Sequence, residues 1–234
     1  QQLAPIPNLT TDEDSPVTSA AFAVGQTGTL SGTSSNTALV PNANITFSGS
    51  GATRAVTVTP AANQNGTATI TVTDSFGAPE QTFTVTVNAV NDVPVISNLT
   101  DQIINEDGNT GALAFTVSDA ETAAAALSVS ATSSNTSLVP VANITFTGSG
   151  TNRQVTATSA PNQSGSAFIT IIVSDGTATD QDNFLVNVTA MNDASTITNI
   201  ADRTVLEDAN TGAVAFTIGD VETAATSLTV SGIS

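Results

Sequence analysis

Along most of this chain apolar and polar residues alternate with a period of two. In Ala112–Val117 the side chains of Leu113, Phe115 and Val117 share one face and those of Ala112, Ala114 and Thr116 the other. The same alternation runs through Arg153–Thr158, Ala68–Val72 and Thr82–Val87. Successive side chains of a strand point to opposite faces, so each run predicts a strand with one face on a core and one in water. Clusters of Gly, Asn, Asp and Pro separate the runs about every ten residues, which is the spacing of short strands joined by turns. The pattern predicts an all-β chain of antiparallel two-sheet sandwiches.

The runs also recur. Ser34-Ser35-Asn36-Thr37 returns as Ser133-Ser134-Asn135-Thr136, and Thr33–Thr73 is about two-thirds identical to Thr132–Ile172. Asn91-Asp92, Glu106-Asp107 and Phe115 return as Asn192-Asp193, Glu207-Asp208 and Phe216. Self-similarity at a fixed period marks tandem modules. The expected organisation is a first repeat over 1–92, a second over 93–193 and an incomplete third over 194–234. The first copy is shorter between Phe22 and Ser34 than the second between Phe115 and Ser133, so it lacks the acidic segment Asp119-Ala120-Glu121-Thr122. Phe22/Phe115/Phe216, Phe47/Phe146 and Phe83/Phe184 recur in register and are read as core.

Composition narrows the chemistry. Of 234 residues twenty are acidic and three basic, a net charge of -17, with no His, Cys, Trp or Tyr. The three basic residues are Arg54, Arg153 and Arg203, so Lys is absent as well. Imidazole bases, thiolates and amine nucleophiles are therefore excluded, and no enzyme is expected. A glycosidase-like pair of carboxylates would lack an aromatic platform for a sugar. A chain this acidic has no basic footprint for nucleic acid, and no apolar run is long enough to insert into a membrane. Without Lys there are no Lys–Asn isopeptide cross-links.

Sixteen of the twenty acids fall in columns shared between copies: Glu13/Glu106/Glu207, Asp14/Asp107/Asp208, Asp74/Asp175, Asp92/Asp193, Asp101/Asp202, Asp119/Asp220 and Glu121/Glu222. Most stand in loops or linkers beside Asn and Gly. A hard cation such as Ca2+ takes six to eight oxygens in adaptable geometry, which such loops can supply. The other reading is that these are solvated turn formers, with Asx turns at Asn91-Asp92 and Asp175-Gly176.

The linker Val90-Asn91-Asp92-Val93-Pro94, the stretch Asn105-Glu106-Asp107 followed by Thr110–Thr122, and Val173-Ser174-Asp175-Gly176 resemble bacterial tandem cadherin-like or Ig-like repeats, of the VCBS-like or tandem-95 type, found in large extracellular surface proteins. The resemblance covers the whole chain. It implies calcium ligands at Asn91, Asp92, Asp119 and Glu121 around the first linker. Around the second it implies Asn192, Asp193, Asp220 and Glu222, with Glu106, its neighbour Asp107, and Asp175 from the module before. The linker departs from the animal cadherin pattern, since Asn88-Ala89-Val90-Asn91-Asp92 holds one acid and Ala194-Ser195 replaces Val93-Pro94.

The expected role is structural: a segment of a bacterial surface fibre or giant adhesin stalk, its modules stacked end to end and rigidified by calcium. The expected partners are copies of itself or further repeats of the same polypeptide, joined through strand addition to the incomplete third repeat. The alternative is an adhesion module that grips a glycan or protein receptor with its loops.

Overall fold

The computed structural model describes residues 3–25, 28–77 and 79–233. Gln1, Gln2 and Ser234, at the ends of the first and third repeats, and Gln26 and Thr27, in the shortened segment, lie outside the described residues. The chain divides into two compact units. Unit 1 comprises Gln1–Val93 together with Asp119–Thr122, and unit 2 comprises Pro94–Ser118 and Ala123–Ser234.

Unit 1 contains β1 (Leu9–Asp12), β2 (Val17–Thr18), β3 (Phe22–Ala23), β4 (Leu30–Ser34), β5 (Ile45–Ser48), β6 (Thr53–Val58), β7 (Gly66–Asp74) and β8 (Gln81–Asn88). One sheet has the order β1-β8-β7-β4, and the other the order β2-β6-β3 with β5 on β6. The alternating strands turn Val56, Val58, Ile70, Val72, Phe83 and Val85 into one buried cluster. Burying each such side chain contributes about 1.5–3 kcal/mol before its ordering entropy is subtracted.

Unit 2 repeats the plan with β9 (Val95–Ile96), β10 (Gln102–Asn105), β11 (Leu113–Ser118), β12 (Ser128–Ser133), β13 (Ile144–Ser149), β14 (Asn152–Ala157), β15 (Gly165–Ser174) and β16 (Thr179–Thr189). Its sheets run β10-β16-β15-β12 and β13-β14-β11-β9. Ile169, Ile171, Phe184 and Val186 are fully buried between them. Unit 2 also carries a short ladder from the third repeat, β17 (Thr196–Ile197) with β18 (Ile218–Gly219).

The ladders are antiparallel except at one place in each unit. There β1 lies parallel to β8, and β10 parallel to β16. An early strand of each module, β1 or β10, thus ends beside the end of the last strand, β8 or β16. Alternation reports which face a residue takes but not the direction of its neighbour, so this pairing was not legible beforehand. Side chains fix its register: Asn8 Oδ1 accepts the Thr84 N–H at 2.8 Å and Asp101 Oδ1 accepts the Leu185 N–H at 2.8 Å.

Of the recurring Phe residues, Phe22, Phe83, Phe115 and Phe184 are buried, and Phe47 and Phe146 pack partly buried against the cores. Phe216 departs from its expected core role: it is 40% exposed, because no described strand covers its face. The arginines serve local structure. Arg54 donates to the carbonyls of Gly51 and Thr53, while Arg153 donates to those of Gly150, Ala124 and Leu127. Gly49 and Gly148 sit at φ 95° and 87°, where an added Cβ would stand 2.6 Å from a carbonyl oxygen across the turn. Among the described residues no helix is long and apolar enough to cross a membrane.

Candidate functional site

Parallel pairing of β1 with β8 brings the acid after β1 to the start of the linker after β8. Glu13 is only 4% exposed, and its Oε1 accepts the Val90 N–H at 2.6 Å. Its Oε2 is buried with no hydrogen-bond donor. Two residues further on, the Asp92 N–H donates to Glu121 Oε2 at 2.8 Å, while Asp92 Oδ2 is itself buried and unpartnered. Asn91 folds its amide onto the Asp92 carbonyl at 2.6 Å. In the loop 119–122, which belongs to unit 1, Asp119 Oδ1 accepts the N–H groups of Glu121 at 3.0 Å and Thr122 at 2.7 Å. This Asx-type turn leaves Asp119 Oδ2 buried and unpartnered.

Unit 2 repeats the arrangement one module later. Glu106 is buried and its Oε1 accepts the Met191 N–H. Asn192 folds onto the Asp193 carbonyl at 2.6 Å, and the Asp193 N–H donates to Glu222 Oε2 at 2.9 Å. Asp220 Oδ1 accepts from the N–H groups of Glu222 and Thr223. Asp193 Oδ2 is buried without a donor, but Asp220 Oδ2 accepts the Ser195 hydroxyl at 2.8 Å.

The electrostatics of unit 2 follow from this geometry. Burial lifts the Asp193 carboxyl above its ordinary value, and the negative charges of Glu222, Asp107, Glu106 and Asp220 add to the lift. The Ser195 hydroxyl and the Thr223 N–H hold Asp220 below its ordinary value.

Two expected ligands stand elsewhere. Asp175 sits in the hairpin turn between β15 and β16, where its Oδ1 accepts the N–H groups of Thr177 and Ala178. Glu106 follows β10 beside the far end of β16, about 30 Å away along strands that rise about 3.3 Å per residue. Asp175 and Glu106 therefore do not meet, because consecutive strands of a hairpin put its turn and its ends at opposite poles. Asp107 takes a left-handed backbone, φ 59°, and its Oδ1 accepts the Asn162 N–H at 2.9 Å. It closes a turn and bears on Asp193 through its charge. Glu13 was not among the expected ligands, although its column with Glu106 and Glu207 signalled it; Ser195 had no such signal.

All the unpartnered oxygens here are carboxylate oxygens, the donor type that suits a hard cation. Among the described residues no three His, Cys, Asp or Glu side chains form a group that could hold a metal ion.

No family model and no curated protein matches the chain. Among solved structures it is similar to the titin domains Z1Z2 in complex with telethonin, at 14% identity over 81% of this chain and 96% of that one, TM-score 0.37. It is also similar to protocadherin gammaB7 EC3-6, at 14% identity over 86% of this chain and 50% of that one, TM-score 0.46. A third is the S-layer protein SbsC, domains 4 and 5, at 21% identity over 69% of this chain and 77% of that one, TM-score 0.34. By its strand pairing and its two cores, the chain is an all-β tandem of Ig-like and cadherin-like sandwich repeats.

Proposed function

We propose that this chain is a non-enzymatic repeat segment of an extracellular bacterial surface fibre or adhesin stalk, in which Ca2+ ties each Asn-Asp linker to the Asp-x-Glu loop that follows it. The reading is carried by the buried carboxylate oxygens of Glu13, Asp92 and Asp119 in one unit and of Asp193 in the other, which have no donor. Burying charge unpaired is costly, and a cation offsets that cost as no further hydrogen bond here does. Glu13, Asp92, Asp119 and Glu121 would hold the ion in unit 1, and Glu106, Asp193, Asp220 and Glu222 that in unit 2. The ion neutralises the gathered carboxylates and restrains the linker, and the sandwiches themselves supply span and surface.

Calorimetric titration of the chelator-stripped chain with CaCl2 tests this. The expected result is saturable binding at both linkers, with Asp92→Asn and Asp193→Asn each weakening one class of site. Absence of saturable binding at millimolar calcium would overturn the reading and leave the acids as turn formers.

A further inference from the structure

The outer faces of the β1-β8-β7-β4 and β10-β16-β15-β12 sheets differ at matching positions. Strand pairing sets the equivalence: Phe168 faces Leu185 across β15 and β16 as Thr69 faces Thr84 across β7 and β8. Ile103 lies against Asn187 as Thr10 lies against Thr86, and Ile172 against Ser130 as Thr73 against Ser31. Four outward threonines of unit 1 are thus Ile103, Phe168, Ile172 and Leu185 in unit 2. Asp12, whose carboxylate takes the Asn88 side-chain amide in unit 1, has Asn105 at its place in unit 2.

These apolar side chains point away from the core, on the face that alternation leaves to water. Phe168 is 53% and Ile103 78% exposed, and Leu185 and Ile172 are half-buried on the same face. Leu185 joins the two exposed residues into a row across three strands: Phe168 is its partner on β15, and Ile103 on β10 lies one diagonal step away. Single exposed apolar residues are ordinary, but a contiguous apolar row marks a contact surface. Among the described residues no outward position of β10, β12, β15 or β16 carries a charged side chain, in a chain of net charge -17. Asp101 stands at the edge, where its Oδ1 accepts the backbone N–H of Leu185.

Copies of a chain this acidic repel one another wherever carboxylates face each other. This face carries none, so it can meet its own copy without that cost, and it offers a basic or acidic partner no charge to pair with. We infer that two copies of this chain pair through the outer face of the β10-β16-β15-β12 sheet, with Ile103, Phe168 and Leu185 of one copy packed on the same residues of the other about a two-fold axis. Sheets stacked face to face sit about 10 Å apart with their side chains interdigitated. Strands about 4.8 Å apart and up to eleven residues long give the face roughly 500 Å2, so pairing buries about 1,000 Å2 in all, which is the lower bound of a specific interface and the size of a weak, reversible one. The contact runs through the side of the second sandwich, and the threonine face of unit 1 takes no part in it. The inference goes beyond the calcium reading and does not rest on it.

The test is sedimentation equilibrium of the full chain over a range of concentrations, run in chelator so that its outcome is separate from cation binding. A reversible monomer–dimer equilibrium is expected, and it should tighten with added NaCl because salt screens the repulsion between the remaining surfaces. Ile103→Thr, Phe168→Thr and Leu185→Thr introduce the residue that unit 1 already carries on its folded sheet. Each should weaken the dimer about tenfold, and the triple variant should be monomeric while keeping the circular dichroism of the unmodified chain. Phe168→Asp should also abolish the dimer, whereas Thr69→Asp, at the equivalent position of unit 1, should leave it unchanged. A chain that stays monomeric at the highest concentration and salt would overturn the inference, as would a dimer that persists in the triple variant or is lost equally in Thr69→Asp. A monomer that floats with neutral phosphatidylcholine vesicles would overturn it as well and assign the face to a lipid surface.

Discussion

The two acidic sites share a plan and differ in how many oxygens they leave waiting. Among the described residues, Glu13, Asp92 and Asp119 of unit 1 each bury an unpartnered carboxylate oxygen, and in unit 2 only Asp193 does. One clear difference lies at a single position. Where the first linker has Pro94, the second has Ser195, whose hydroxyl satisfies the Asp220 oxygen equivalent to the orphan on Asp119. A proline has no hydroxyl or N–H to offer, so Asp119 Oδ2 stays without a donor in the first site while its equivalent in the second is bonded by the chain itself. Under the proposed calcium reading, the Asp92 site is expected to be the tighter of the two.

The largest effect is expected at the buried glutamate. Glu13→Ala removes a charge-assisted acceptor from the Val90 N–H and is expected to destabilise unit 1 by about 2 kcal/mol, read from urea unfolding followed by circular dichroism. In calcium the loss should exceed that in chelator; equal losses would mean that its second oxygen meets no ion. Next come the linker aspartates. Asp92→Asn should weaken the tighter calcium class on the order of tenfold to a hundredfold, and Asp193→Asn the weaker one. If the two classes are indistinguishable in the unmodified chain, the contrast between the sites fails.

The pH dependence sharpens the second site. Asp193 is raised from 3.8, so in metal-free protein its ionisation opposes folding, and that penalty is relieved as pH falls through its folded pKa. Asp220 is lowered from 3.8, so it contributes stability that is present above its unfolded pKa and is lost as pH falls through its folded pKa. Carboxyl carbon NMR should find Asp193 titrating above Asp220, with saturating calcium bringing Asp193 down. The smallest effect is Ser195→Ala, which frees Asp220 Oδ2 and should tighten the second calcium class severalfold, by fractions of about 1.4 kcal/mol. A weakened site would show instead that the hydroxyl is itself a ligand.

The strands and their inward faces were legible because period-two alternation carries them, and the acidic columns were legible because the repeat supplies its own internal comparison. Direction was not: nothing in the alternation of β1 or β10 says that it lies parallel to the last strand of its module. That missing fact decides the site, since it is what brings Glu13 to Val90 and Glu106 to Met191. The same gap misplaced Asp175, whose recurrence with Asp74 marks a turn as readily as a ligand. Ser195 shows a further limit, because its role depends on an oxygen two dozen residues away that no local pattern names. Phe216 carries the sequence signal of a core residue, yet no described strand covers it.

The placement of the three arginines gives the chain a single address for cleavage by trypsin-like proteases. Arg54 and Arg153 lie within paired strands β6 and β14, their guanidinium groups held by backbone carbonyls, whereas Arg203 is exposed and outside any strand. Digestion at Arg203 would separate β18 from β17 and spare both complete sandwiches. The cut would also part Asp193 and Ser195 from Glu222 and Asp220, so the second acidic site would be undone by one protease while the first stayed whole.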